Sequence, residues 1–421
     1  MRTRWFRRGL WLVGFGCLWL NVLDDPPLWT EPYLQDVSGD GATVAVITAA
    51  PAVARVVVMD AAGERIAEVQ DEACRRHALR VGGLRPGAEY RYELSLDGGP
   101  AQVGRLRTPP AEDSEPVHFA FVGDSGGQPW WVWLQRAPIL HLPARWRWLP
   151  TRSAVTRIGA AMAASEPDFA LHLGDIVYPA GLHAHYSTGY FRPFAELGRN
   201  APVYAMLGNH DFLDVAGLQA LQNYPGPSGE LTGDGRCYSF AWGAVRVIVL
   251  DLNTSYRPGH PCEAYLVDQL QRSAEPWIVV ASHFPMLSAS RQGDRADLRR
   301  FLEPTLEEWG VSLYLSGHDH CYQRFGPSEA APVPLIVSGG GGKSLYAINK
   351  DPRIAGRAAS LASAYHWCDV RVLAGRMQVQ ARGLEGEVLD EFELQLPGGD
   401  SLERLERRNP ARAVRIRALA R

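Results

Sequence analysis

Nearly unbroken apolar runs, each stopping at a glycine, serine or aspartate, set the rhythm of the chain from residue 117 onward. The runs at 117–122, 169–173, 203–207, 245–250, 277–281 and 311–315 have strand length, and their continuous apolar character predicts strands covered on both faces. Between them, 152–165, 190–197, 263–274 and 298–309 carry helical periodicity. This alternation predicts a layered α/β sandwich of mixed sheets flanked by helices, extended by later β runs at 335–337, 368–373, 377–381 and 388–396. Upstream the pattern changes to short β runs at 43–48, 55–59, 80–81, 89–96 and 102–108, broken by Gly, Pro and Asp, which predicts an all-β sandwich. A polar, proline-rich stretch at 108–116 reads as the linker. The chain therefore divides into a leader (1–25), a β domain (32–110), an α/β domain (117–397) and a basic tail (398–421).

Composition adds limits. At 421 residues, 46% hydrophobic and 21% charged, the chain is globular and long enough for more than one core. A net charge of −3 gives no electrostatic reason to expect nucleic acid as a partner. Arg2, Arg4, Arg7 and Arg8 precede an uncharged, mostly apolar stretch at 9–23, shorter than the about 20 residues that span a bilayer as a helix, so it reads as a signal peptide ahead of a membrane anchor. Either way the expectation is export. Without Cys17, the cysteines Cys74, Cys237, Cys262, Cys321 and Cys368 are odd in number and lack a CxxC pair, so no specific bridge is expected. Residues 128–150 gather Trp130, Trp131, Trp133, Trp146 and Trp148 among arginines, which suits a lid over a site or, as a second possibility, contact with a membrane interface. The tail, rich in Arg with little apolar pattern, reads as a solvated or disordered extension. Oligomeric state is not legible.

Chemistry concentrates just after the predicted strands: Gly123-Asp124-Ser125-Gly126, Gly174-Asp175-Ile176-Val177-Tyr178, Gly208-Asn209-His210-Asp211, Ser282-His283 and Gly317-His318-Asp319-His320. Loops at the carboxyl ends of α/β strands are where such sheets place their sites. Asp175 and Tyr178, three apart at a turn, can reach one hard cation such as Fe(III). His318 and His320 point the same way in extended backbone, about 6 to 7 Å apart, and can bracket two ions.

Together and in this order, the motifs resemble the purple acid phosphatases, the branch of the calcineurin-like metallophosphoesterases with an iron-bound tyrosine. The resemblance covers about residues 32–397, since that family often carries a fibronectin type III-like domain in front, Glu31-Pro32-Tyr33-Leu34-Gln35 looks like its usual opening, and the turn and strand at 83–92 resemble that domain's tyrosine corner. It implies Fe(III) on Asp124, Asp175, Tyr178 and His320, and a divalent Fe, Zn or Mn on Asp175, Asn209, His283 and His318, with Asp175 bridging. The donor chemistry agrees: oxygen donors with one imidazole suit a trivalent ion, while imidazoles with an amide suit a divalent one. The implied activity is hydrolysis of phosphomonoesters by in-line attack of metal-bound hydroxide, best at mildly acidic pH. His210 would bind phosphate or protonate the leaving alkoxide, and Asp211 would orient its ring.

Where many members place further histidines after the fourth motif, this chain has Ser288, Ser290, Arg291 and Gln292, and Arg291 is the candidate phosphate contact there. His183 and His185 read as rim residues, and the glycine run before Lys343 fails the nucleotide-loop pattern because Val337 stands at its first glycine. Two other functions compete. A calcineurin-like phosphodiesterase acting on nucleotides or lipid headgroups normally shows Asp-x-His and Gly-Asp-x-x-Asp, against Gly126 and Tyr178 here. A non-catalytic cell-surface binding protein would have no use for a complete ligand set.

Overall fold

Glycine, proline and aspartate punctuation divides the N-terminal region into seven strands: β1 Tyr33–Gln35, β2 Gly41–Ala52, β3 Ala54–Met59, β4 Arg65–Gln70, β5 Cys74–Gly82, β6 Glu89–Leu96 and β7 Gln102–Arg107. The computed structural model describes residues 29–126, 154–213, 217–224, 227, 236–328, 331–349 and 351–419. The leader 1–25 and the Trp-rich segment 128–150, with the membrane contact considered for each, lie outside the described residues. No described helix is long and apolar enough to cross a membrane.

The N-terminal strands form two antiparallel sheets, ordered β1-β2-β5 and β4-β3-β6-β7. Their inner faces alternate as half-buried strands do: Val56, Val58, Tyr90, Tyr92 and Leu94 point inward. Tyr90 Oη accepts the Arg85 N–H at 2.8 Å and ties the turn to the strand it starts. Edge strand β4 escaped the sequence reading because its side chains are exposed or half-buried, leaving no apolar alternation to detect.

Two larger sheets follow. The six-stranded sheet runs β10-β9-β8-β18-β19-β20, from Val203–Ala205, Phe169–His172, Val117–Val122, His366–Leu373, Arg376–Gly383 and Val388–Gln395. The seven-stranded sheet runs β11-β12-β13-β14-β16-β15-β17, from Tyr238–Trp242, Val245–Leu250, Trp277–Ser282, Leu313–Ser316, Leu335–Ser338, Tyr322–Phe325 and Ser360–Ala362. β8, β9 and β10 are parallel, as are β12, β13, β14 and β16. Continuous apolar strands follow from this layering. Val247 and Val249 face the core shared by the two sheets, while Ile248 and Leu250 on the same strand pack with Leu266 and Leu270 of helix Pro261–Arg272. On the other side Ala120 and Val122 meet Ile158 and Met162 of helix Ala154–Ala164.

The β domain docks on the α/β domain through helix Ala195–Asn200: Tyr92 donates to the Arg199 carbonyl at 2.8 Å, and the Arg105 N–H to Asn200 Oδ1 at 2.9 Å. The described cysteines are free thiols.

The expectation of a solvated tail is corrected. Residues Gly399–Arg408 and Pro410–Leu419 form two helices that bury Leu405, Ala413 and Ile416. Arg412 is fully buried, donating to the carbonyls of Trp309 and Gly310 at 2.8 Å and of Pro276 at 3.1 Å. Burial lowers its pKa to about 10, so it stays charged. Arg415 grips Asp113 in the linker. These arginines are structural donors to backbone and linker, a use that counting charges along a sequence does not reveal.

Candidate metal centre

Every motif singled out in the sequence sits at the carboxyl end of a parallel strand: Asp124 after β8, Asp175 and Tyr178 after β9, Asn209 and His210 after β10, His283 after β13, and His318 and His320 after β14. Three loops rise from one sheet and two from the other, so the site spans the edge of both. Reaching it requires backbone that L-residues resist: Asp124, Asp175 and His318 have φ of 57°, 52° and 68°. Such left-handed geometry costs about 1–2 kcal/mol per residue and persists where surrounding contacts enforce it. The loops also pack at van der Waals limits. A Cβ on Gly208 would stand 2.2 Å from both the Asp175 nitrogen and its Oδ1, so that loop needs glycine.

Two groups of donors converge. In the first, Tyr178 Oη lies 3.0 Å from Asp124 Oδ1, 2.8 Å from Asp175 Oδ2 and 3.2 Å from His320 Nε2. In the second, Asn209 Oδ1 lies 2.9 Å from His318 Nδ1 and 3.2 Å from His283 Nε2. Asp175 faces both, since its other oxygen, Oδ1, lies 3.5 Å from His283 Nε2 and accepts the His210 N–H at 2.7 Å. Outer contacts aim the rings. His283 Nδ1 meets the Leu173 carbonyl and His320 Nδ1 the Ser344 carbonyl, each at 2.8 Å, so both rings carry Nδ1–H and turn a bare Nε2 inward. The His318 N–H holds Asp124 Oδ2 at 2.7 Å.

The electrostatics fit a cation. Burial resists ionisation of Asp175, yet His283, His210 and hydrogen bonds from the His210 amide and Tyr178 together hold its pKa below the usual value. Burial and the charges of Asp124 and Asp175 push the Tyr178 phenol well above its ordinary value, and burial with His283 lowers His318 to about 3. Buried carboxylates, a phenol and bare imidazole nitrogens within hydrogen-bond distance form a donor set that metal ions would satisfy. Asp124, Asp175 and His283 alone place three ligand atoms within 4.8 Å of one another.

Residues 117–322 match the calcineurin-like phosphoesterase family. They form a calcineurin-like metallophosphoesterase domain. The chain is 27% identical over 256 residues to tartrate-resistant acid phosphatase type 5 of Rattus norvegicus, covering 53% of this chain and 72% of that protein. It is 28% identical over 213 residues to purple acid phosphatase 17 of Arabidopsis thaliana, covering 42% and 59%. In fold it is similar to purple acid phosphatase PPD1 of yellow lupin, with TM-score 0.71, 17% identity and coverage of 88% and 75%.

Within the metallophosphoesterase domain, His210 packs beside Tyr178 with the rings tilted and their centroids 4.4 Å apart, and its Nδ1 donates to the Pro179 carbonyl at 2.7 Å. The expectation that Asp211 orients this ring is corrected. The buried Asp211 carboxylate instead accepts the N–H groups of Gly208 at 2.9 Å and Ile176 at 3.1 Å, pinning the Asn209 and Asp175 loops together. Burial and the Asp175 charge push its pKa up to about 8. Arg291 is exposed and lies 4.1 Å over the ring of Tyr346, which stacks on His320. His183 contacts Arg76 and Gln222, and His185 the Ala180 carbonyl, none of them a donor of the site.

The sequence reading missed the loop after β16. The Lys343 N–H donates to the Asp124 carbonyl at 3.0 Å, Lys343 Nζ lies 4.4 Å over the Tyr178 ring, and Ser344 anchors His320. Its signal in the sequence is the glycine run that follows a strand. Gly126 is also explained: a Cβ there would stand 2.5 Å from Tyr178 Cδ2, so the phenol occupies the space a side chain at 126 would need.

Proposed function

We propose that this chain is an exported acid phosphatase of the purple type, hydrolysing phosphomonoesters with Fe(III) on Asp124, Asp175, Tyr178 and His320 and a divalent Fe, Zn or Mn on Asp175, Asn209, His283 and His318. The observation that carries the reading is the phenol oxygen of Tyr178 within 3.2 Å of donor atoms from Asp124, Asp175 and His320. Names of the relatives, a tartrate-resistant acid phosphatase and a purple acid phosphatase, support the substrate class. The basic and apolar leader supports export.

When bound, the ions supply positive charge and Lewis acidity for phosphate ester hydrolysis. The chain's own groups orient the ester and move the proton. With Nδ1–H fixed on Pro179, His210 exchanges protons only at Nε2, which lies 4.0 Å from Asp175 Oδ2 at the junction of the two donor groups. There it protonates the departing alkoxide. Lys343 adds positive charge beside the phenol, and Arg291 offers a guanidinium at the rim for a phosphate oxygen.

Turnover of an aryl phosphate and a bis-aryl phosphate at mildly acidic pH tests the substrate class. The monoester is expected to be the faster substrate; a preference for the diester would make the chain a phosphodiesterase. Absorption spectra test the metal assignment. Tyrosinate bound to Fe(III) gives a visible charge-transfer band, expected to vanish in Tyr178→Phe while protein iron is retained. An active protein that is colourless and free of iron would overturn the purple-type assignment.

A further inference from the structure

We propose that Asp71, Cys74 and His77 form a second, separate cation site of the zinc class on the N-terminal β domain. Asp71 Oδ2 lies 2.7 Å from His77 Nδ1, and Cys74 Sγ lies 3.4 Å from that nitrogen and 3.8 Å from that oxygen. Three unlike donor atoms therefore meet within 4.8 Å, with the His77 side chain fully buried and that of Asp71 27% exposed.

The convergence is built by the backbone. Cys74 and His77 are three residues apart on β5 and in a regular strand would point to opposite faces. The β2–β5 register shifts between the Ile47↔Arg76 and Ala52↔Cys74 pairs, with the extra residues on β2, and at this irregularity the two side chains meet on one side. Asp71 is fixed independently: its N–H donates to the Ala54 carbonyl at 3.1 Å, and its Oδ1 accepts the Ala54 N–H at 2.9 Å, leaving Oδ2 for the cluster. Asp71 lies where the chain crosses from β4 in one sheet to β5 in the other, so an ion there would clamp the crossover.

His77 has an outer partner for its second ring nitrogen. The Thr48 hydroxyl lies 3.3 Å from His77 Nε2 and 3.4 and 3.3 Å from the carbonyls of Cys74 and Arg75, so it can donate to the ring or, turned to a carbonyl, accept from Nε2–H. Nδ1–H donating to Asp71 Oδ2 satisfies the metal-free triad, and an ion on Nδ1 moves the ring proton to Nε2, where the Thr48 oxygen accepts it. A ring nitrogen held by its outer partner in this way is the usual arrangement of a ligating histidine. Ligand separations around a tetrahedral zinc are about 3.3–3.8 Å for bonds of 2.0–2.3 Å, so only the Asp71–His77 pair must open. Binding exchanges the Cys74 thiol proton, released to solvent, for a sulfur–metal bond, and water completes the fourth position. A thiolate with an imidazole and one carboxylate selects Zn(II) or Co(II) over Mg(II) or Ca(II).

Full-length protein stripped with a chelator and titrated with Co(II) tests the site. The donors of the metallophosphoesterase centre contain no sulfur, so a near-ultraviolet thiolate-to-Co(II) band reports on this cluster even if the phosphatase reading fails. Wild type is expected to develop the band and to bind one more equivalent of Co(II) than Cys74→Ser, which lacks it. Asp71→Asn, which keeps the side-chain shape, is expected to weaken the same step and serves if the Ser variant does not fold. Equal stoichiometry and identical near-ultraviolet spectra for wild type and a folded variant would overturn the proposal, leaving the triad as a hydrogen-bonded cluster.

Discussion

Asp175→Asn is expected to lower phosphomonoester turnover on the order of 10³-fold, because one substitution weakens both halves of the centre. Oδ2 of Asp175 faces Tyr178 and Oδ1 faces His283, so an amide must turn its NH₂ toward one donor group and lose an oxygen donor there. The negative charge shared by the two groups disappears at the same time. Metal analysis is expected to give fewer than two ions per chain, with the far-ultraviolet circular dichroism unchanged. Two ions at wild-type occupancy with turnover within about tenfold of wild type would remove Asp175 from the bridging role.

Arg412→Ala is expected to destabilise the protein by about 3–5 kcal/mol, since several buried carbonyls lose their donor at about 1–3 kcal/mol each. Its guanidinium satisfies the carbonyls of Pro276, Trp309 and Gly310, and truncation leaves these acceptors buried beside a cavity. The neighbouring Asn409, donating to the Leu270 and Ser273 carbonyls at 3.1 and 2.7 Å, cannot reach them all. The thermal midpoint should fall by several degrees, and limited proteolysis should cut near residue 409 at protease levels that spare the wild type. An unchanged midpoint and cleavage pattern would show that the tail contributes little to stability.

Most of the architecture was legible because the α/β strands are buried on both faces and end abruptly. Runs such as 245–250 and 277–281 have few conformations available once both sides must be covered, and each ends at a polar cluster that can only lie in a loop. The donors were legible for the same reason: a carboxylate or imidazole immediately after a buried strand has a definite place. What escaped depends on partners remote in sequence. Asp211 sits beside His210 in the chain, yet its bonds go to Gly208 and Ile176, a choice that local order cannot predict. Lys343 reaches Tyr178 only because β16 lies next to β14 in its sheet. The tail failed for a different reason, since three arginine-bound carbonyls and ion pairs, rather than an apolar stripe, fix its helices.

The origin of the donors in two sheets carries a consequence for how the protein matures. Asp124 and His318, 194 positions apart, become neighbours only when both layers have closed, so no fragment or half-formed intermediate offers a complete seat for an ion. Loading of ions on these donors would then be the last event of folding, and a bound pair would rivet one layer to the other. A chelator must draw that rivet before the layers can part, which makes resistance to unfolding a readout of occupancy.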